Sequence, residues 1–353
     1  MRSARYDFAE EELGNETDMK IAVVGAGSIG GYLGARLALA GEDVTFIARG
    51  ANLAAIGKHG FTLIEEDGTT RNASNVRASA IKDGTPQDYV LLALKAHQVA
   101  AVAPDLHRLF GPETALVTLQ NGVPWWYFHK LGGAFDGTAV KSADPDGSIA
   151  AHIDNDRIIG TVVYPASELV EPGVVKVIEG NRFSLGEPDG AKSERIQRLA
   201  EALTRAGFKA PIAADLRAEI WMKLWGNVIF NPVSALTHGT LAGICGFPLT
   251  RDLATKMMAE TQQVAEKLGV RFRISIEKRI AGAEAVGEHK TSMLQDVEAG
   301  RALELEALVG SVVEMARLTE TPTPHIDAIY AVTSLLARTL ADKKGRLEVQ
   351  PVE

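Results

Sequence analysis

The chain has 353 residues, 46% of them hydrophobic, and a formal net charge of −8 at pH 7. That length is more than one hydrophobic core serves and calls for two domains. The acidic balance argues against nucleic acid as a partner, since such binding needs clustered Lys and Arg, and no apolar run approaches the ~20 residues of a bilayer span. A lone cysteine, Cys245, can form no internal disulfide, and no Cys/His pairing has metal-ligand spacing, so a cytoplasmic protein without a metal is expected.

Residues 1–18, MRSARYDFAEEELGNETD, are polar and acidic rather than signal-like and are expected to form a loose extension. From Lys20 to Val24 the apolar run KIAVV reads as a buried parallel strand. Gly25-Ala26-Gly27-Ser28-Ile29-Gly30 follows at once and opens a helix-period stretch that stops at Gly41. This is G-x-G-x-x-G between a strand and a helix. Gly25 allows the tight turn, Gly27 admits a pyrophosphate, Gly30 permits close helix packing, and the helix opening at Ser28 and Ile29 offers backbone N–H groups to phosphates.

The second strand, Asp43 to Ala48, ends in Arg49 where an NAD site would carry Asp or Glu, so the spacing favours NADP(H). Lys95 is expected as a second cation on the same rim; a solvated surface role remains open for both. Strands are expected over Asp88 to Leu94 and Ala115 to Leu119, ending in Lys95-Ala96-His97-Gln98 and Gln120-Asn121-Gly122. In an open parallel sheet those ends face the ligand. Between Gly137 and Gly186 the segments RIIGTVVYP, GVVKVIEG and RFSLG read as an antiparallel extension of the sheet, and a helix is expected over Ser193 to Ala206. The organisation expected is thus an α/β Rossmann-type NADP-binding domain over residues 19–214, an all-α substrate and catalytic domain over 215–345, and a tail over 346–353.

Helices are expected over Leu216 to Ile229, Leu249 to Leu268, Ser275 to Glu284, Ser292 to Ala299, Leu303 to Leu318 and Ile326 to Leu340. In the first, Lys223, Asn227 and Asn231 recur every four residues and share an arc of roughly 80°. Asn231 is placed at the helix end because it precedes Pro232. A lysine desolvated among Trp, Leu and Val has its pKa brought down toward the range useful to a general acid; a snorkelling surface lysine is the alternative. Ser292 with Gln295 fits a capping box or a ligand contact, and Glu304 fits the first turn of a helix or an acceptor in a cleft.

The segments GAGSIG, LKAHQV (94–99), QNG (120–122), KLWGNVIFNPVSALT (223–237) and SMLQDVEAGRALELE (292–306) together resemble the ketopantoate reductase (2-dehydropantoate 2-reductase) family, with motifs matching from Lys20 to about Leu340. The resemblance implies NADPH-dependent reduction of ketopantoate at C2 to (R)-pantoate for pantothenate synthesis, with Lys223 as general acid. It further implies that Asn121 lies beside nicotinamide and substrate, that Asn227 and Asn231 bond substrate, that Ser292 holds its carboxylate and that Glu304 takes its terminal hydroxyl. Arg49 and Lys95 would face the 2′-phosphate. Leu303-Glu304-Leu305-Glu306 departs from the Thr-Glu-Ile-Asp of many members, and the aromatic run Trp125-Trp126-Tyr127-Phe128 either shapes the pocket rim or packs its loop or a dimer contact. Another 2-oxo acid as substrate, and a non-catalytic NADPH-sensing regulator, are the competing readings; a homodimer is compatible with each.

Overall fold

The structure is a computed structural model that describes residues 19–350; the extension expected over 1–18 and residues 351–353 of the expected tail lie outside the described residues. Strand β1 (Lys20–Val24) is buried at all but its first residue, as a continuous apolar run is when helices cover both sheet faces. It leads through α1 (Ser28–Leu39), β2 (Asp43–Ile47), α2 (Gly50–His59), β3 (Phe61–Ile64), β4 (Thr70–Ala73), β5 (Arg77–Ser79), β6 (Gln87–Leu92) and α3 (Ala96–Val99). Then come β7 (Phe110–Thr118), α4 (Ser148–His152), β8 (Ile158–Val163), β9 (Ala166–Glu171), β10 (Val174–Glu179), β11 (Phe183–Gly186) and α5 (Glu194–Arg205). The main sheet has seven strands in the order β11-β8-β7-β6-β1-β2-β5. Every neighbour pair is parallel except β11 on β8. Sheet growth reverses at β1, so the crevice beyond the carboxyl ends of β1 and β6 is the switch point at which such sheets take ligands.

One part of the expected extension lies elsewhere. RIIGTVV (β8) and FSLG (β11) do continue the main sheet, β8 parallel to β7 rather than antiparallel and β11 antiparallel to β8, but GVVKVIEG (β10) joins a separate four-stranded sheet, β4-β3-β10-β9. That sheet packs against α1 at Gly31, where an added Cβ would stand 2.2 Å from Phe61 Cζ. Alternation in VVKVIE marks a one-sided strand; only the contact with α1 decides which sheet it enters.

The second domain is all-α, built on α6 (Leu216–Thr237), with α7 (Leu241–Gly246), α8 (Pro248–Lys267), α9 (Ile276–Glu284), α10 (Ser292–Ala299), a π turn at Glu306–Gly310, α11 (Ser311–Leu318) and α12 (Pro324–Lys343). Helix α6 does not stop before Asn231-Pro232. It runs on to Thr237, because the run Val228 to Ala235 is buried and its packing outweighs the hydrogen bond that Pro232 removes. Thr291, not Ser292, caps α10, accepting from Leu294 N at 3.3 Å; Ser292 is the first helical residue. Glu304 precedes its helix rather than opening it.

The aromatic run is core, not pocket rim. Trp125, Trp126, Tyr127 and Phe128 are all buried. Trp221 of α6 donates from Nε1 to Tyr127 Oη at 2.7 Å, and the Arg217 guanidinium donates to the carbonyls of Tyr127, His129 and Pro188 at 2.8, 2.6 and 2.6 Å. The run therefore fastens α6 to the sheet domain. Among the described residues no helix is long and apolar enough to cross a membrane, and no group of three His, Cys, Asp or Glu could hold a metal ion.

Candidate active site

The loop after β1 has the backbone its glycines are needed for. Gly25 adopts φ +106°, and a Cβ on Gly30 would stand 2.1 Å from the Gly25 carbonyl oxygen and 2.8 Å from Ala93 Cβ. A Cβ on Gly27, by contrast, would meet nothing within 4 Å. The close-packed position is thus Gly30, while Gly27 faces open space at the N-terminus of α1, where Ser28 and Ile29 begin the helix. Such a cradle fits a dinucleotide pyrophosphate. At the end of β2, Arg49 is exposed, caps α2 and has no ion pair among the described residues.

Lys95 is placed differently from expectation. Its ammonium lies 2.6 Å from Asp296 Oδ2 of α10, across the two domains, and that carboxylate also takes Arg301 Nε at 2.8 Å. β6 and β2 flank β1 on opposite sides, so Lys95 is neither free nor on the Arg49 rim. The buried Asp296 draws it across because a desolvated carboxylate needs counter-charge more than an exposed rim needs a cation.

Lys223 projects from α6 toward the carboxyl ends of β7 and β8. Its Nζ donates to Asn121 Oδ1 at 2.6 Å and to the Val163 carbonyl, and it sits 6.0 Å from the centre of the Tyr164 ring. Burial brings the ammonium down to about 8, with the Glu304 carboxylate acting in the opposite sense. Asn121 is held there by its neighbours. Gly122 has φ +87°, and a Cβ on it would stand 2.0 Å from the Ala307 carbonyl oxygen of the π turn, which accepts from Val123 N at 3.1 Å. Gln120 donates to the carbonyls of Leu92 and Leu94 at 2.7 and 3.0 Å, tying the ends of β6 and β7 together.

A small cavity opens beside Lys223, lined by Gln120, Asn121, Thr161, Val163 and Asn227 among others. Two of its polar atoms, Gln120 Oε1 and Thr161 Oγ1, are buried without a hydrogen-bond partner, as atoms are that await a polar ligand. Asn227 lies on the cavity wall and Asn231 is buried one turn further along α6. Glu304 accepts from Ala96 N at 3.3 Å, bridging to the start of α3. Ser292 is exposed on the first turn of α10. The structure thus brings Lys223, Asn121 and Asn227 together, with Glu304 near enough to act on the lysine electrostatically. The Val163 carbonyl and Thr161 belong to β8, which is buried at every position, and Tyr164 follows it; a run of that kind speaks only of packing, so none of the three had a signal in the sequence.

A dinucleotide cradle at the switch point of the sheet, facing a lysine of depressed pKa from a helical domain, defines a dinucleotide-dependent oxidoreductase. The chain belongs to the ketopantoate reductase family: the family model described as Ketopantoate reductase PanE/ApbA matches residues 21–190, and that of its C-terminal part matches residues 215–337. It is an oxidoreductase acting on CH–OH groups. A 2-dehydropantoate 2-reductase of Mesorhizobium japonicum is 52% identical over 93% of this chain and 99% of its own. Among solved structures, a family member from Ralstonia solanacearum is 40% identical with a TM-score of 0.87, over 92% of this chain and 99% of that one. The 2-dehydropantoate 2-reductase of Geobacter metallireducens is 28% identical with a TM-score of 0.76, over 90% and 99%.

Proposed function

We propose that this protein reduces the C2 ketone of ketopantoate to (R)-pantoate with NADPH, as the reductive step of pantothenate synthesis in the cytoplasm. The observation that carries the reading is the Lys223 ammonium, held by Asn121 and the Val163 carbonyl in the cleft and brought to about 8. A group of that pKa is still largely protonated at neutral pH yet gives up its proton readily, as a general acid must. Gly25–Gly30 would hold NADPH, which would supply the hydride. Lys223 delivers the proton to the oxygen that becomes the alcohol, and Asn121 keeps the ammonium from swinging out of line. Asn227 and Asn231 offer amides to the substrate, Ser292 contributes to its carboxylate and Glu304 takes its terminal hydroxyl. Arg49, the cation where an NAD site would carry an acid, reads the 2′-phosphate.

The test is consumption of NADPH by the purified protein, with ketopantoate and a panel of other 2-oxo acids, repeated with NADH. Fast turnover confined to ketopantoate and NADPH is expected. Silence on ketopantoate with activity on another 2-oxo acid would move the substrate, and silence on all would leave a non-catalytic NADPH sensor.

A further inference from the structure

Arg279 of α9 is a cation packed on α6, next to the Asn227 wall of the cavity, that the motifs of the sequence do not include. Its guanidinium lies on the backbone of Gly226 in α6: a Cβ built on that glycine would stand 2.3 Å from Nη2 and 3.1 Å from Cζ. Gly226 is three residues from Lys223 and adjacent to Asn227, so the three share an arc of about 100° on one helix face. Tyr164, whose ring centre lies 6.0 Å from the Lys223 ammonium, is near enough to act on the Arg279 guanidinium as well, so the two cations share that tyrosine as a neighbour.

Among the described residues no acidic side chain answers it. The titratable groups that act on Arg279 are the Tyr164 phenol and the Cys245 thiol, both with pKa values raised by burial and both neutral near pH 7. Burial itself lowers the Arg279 pKa from the ordinary arginine range, yet a guanidinium keeps its proton in any protein and cannot escape by neutralising. Other partly buried guanidiniums here are compensated. Arg36 pairs with Glu65 and Arg195 with Glu187, while Arg217 meets three carbonyls. A partly desolvated cation left without acid or carbonyl is open to a counter-charge from outside. Here an anionic ligand of the neighbouring cavity would supply it.

We propose that Arg279 is the carboxylate-binding residue of the substrate cleft, taking the planar carboxylate of a 2-oxo acid in a forked pair of N–H···O bonds, with Gly226 providing the room. This rests on the reading of the protein as a 2-oxo acid reductase. It reassigns the main carboxylate contact from Ser292, which stands exposed on α10, to a residue of α9.

Calorimetric titration of the NADP-loaded protein with pantoate, alongside kinetics on ketopantoate and on its uncharged lactone, tests the assignment in wild type and in Arg279→Gln, Arg279→Lys and Gly226→Ala. Arg279→Gln should weaken pantoate and raise the ketopantoate KM by about 30- to 100-fold, leaving the NADPH KM and the kinetics on the lactone as in wild type. Arg279→Lys, which keeps the charge but not the fork, should recover part of the loss. Gly226→Ala replaces a helical glycine with a better helix former and so keeps the fold, while displacing the guanidinium; it too should weaken pantoate. Pantoate affinity unchanged in Arg279→Gln, or acid and lactone losing equally, overturns the assignment. If wild type reduces no 2-oxo acid but binds simple carboxylates in an Arg279-dependent way, the proposed function fails and this inference stands. Normal ketopantoate turnover in Arg279→Gln at low substrate has the reverse meaning.

Discussion

If Lys223 is the general acid proposed above, raising the pH through 8 should shut down ketone reduction, because it then gives up the proton it has to deliver. With a pKa of about 8, the ammonium is roughly 90% protonated at pH 7, roughly 10% at pH 9 and roughly 1% at pH 10. kcat/KM for reduction then falls about tenfold per pH unit above 8, whereas a solvated lysine near 10.4 would leave the rate almost flat to pH 10. Oxidation of pantoate, which needs the neutral amine as base, should rise through the same value. Lys223→Met keeps the length and apolar contacts of the side chain but has no proton to give. It should lose about 10²- to 10⁴-fold in kcat, or about 2.7–5.5 kcal/mol of transition-state stabilisation, with the NADPH KM little changed. Initial rates across pH 6.5–10 in both directions, on wild type and variant, measure this. A wild-type profile without a break near 8, or the same break persisting in Lys223→Met, refutes the assignment. Stability has the matching sign: the folded pKa lies below the unfolded one, so between pH 8 and about 10.5 the unfolded chain holds more protons and the Lys223 contribution to stability rises with pH. Lys223→Met should remove that rise in denaturant titrations.

Three further outcomes follow from the geometry. If Arg49 reads the 2′-phosphate as proposed, Arg49→Ala should raise the KM for NADPH by tenfold or more while barely moving that for NADH; equal shifts in both would mean that Arg49 does not read it. Lys95 and Asp296 should couple across the domains by about 1–3 kcal/mol in a double-mutant cycle of Lys95→Met and Asp296→Asn, read as chemical denaturation, and additive losses would show that the 2.6 Å pair contributes nothing. Gly122→Ala combines a left-handed backbone with a clash 2.0 Å from the Ala307 carbonyl oxygen, so it should cost about 2–4 kcal/mol of stability and lower kcat by displacing Asn121; a variant as stable and active as wild type would show that the loop does not press on the π turn.

Much of this molecule could be read from local pattern. The run KIAVV before Gly25-Ala26-Gly27-Ser28-Ile29-Gly30 specifies a strand, a turn with positive φ at Gly25 and a helix whose close approach only Gly30 allows, all within a few residues of one another. The four-residue spacing of Lys223, Asn227 and Asn231 likewise follows from helix geometry, wherever that helix ends. Local rules misled where buried area at long range outweighed them: Pro232 inside a helix that packing carries on to Thr237, and β10 drawn into a second sheet by α1. Of the roles left open for the aromatic run, packing between the domains is the one the structure shows. The same limit holds for the chemistry. The sequence by itself determined the dinucleotide cradle, the helical domain and the lysine, because each depends on neighbours a few residues away. Only the tertiary structure decided that Lys223 meets Asn121 and Val163, that Lys95 is taken by Asp296 and that Arg279 lies unanswered on Gly226, because charge and desolvation act between groups that are near in space and far apart along the chain.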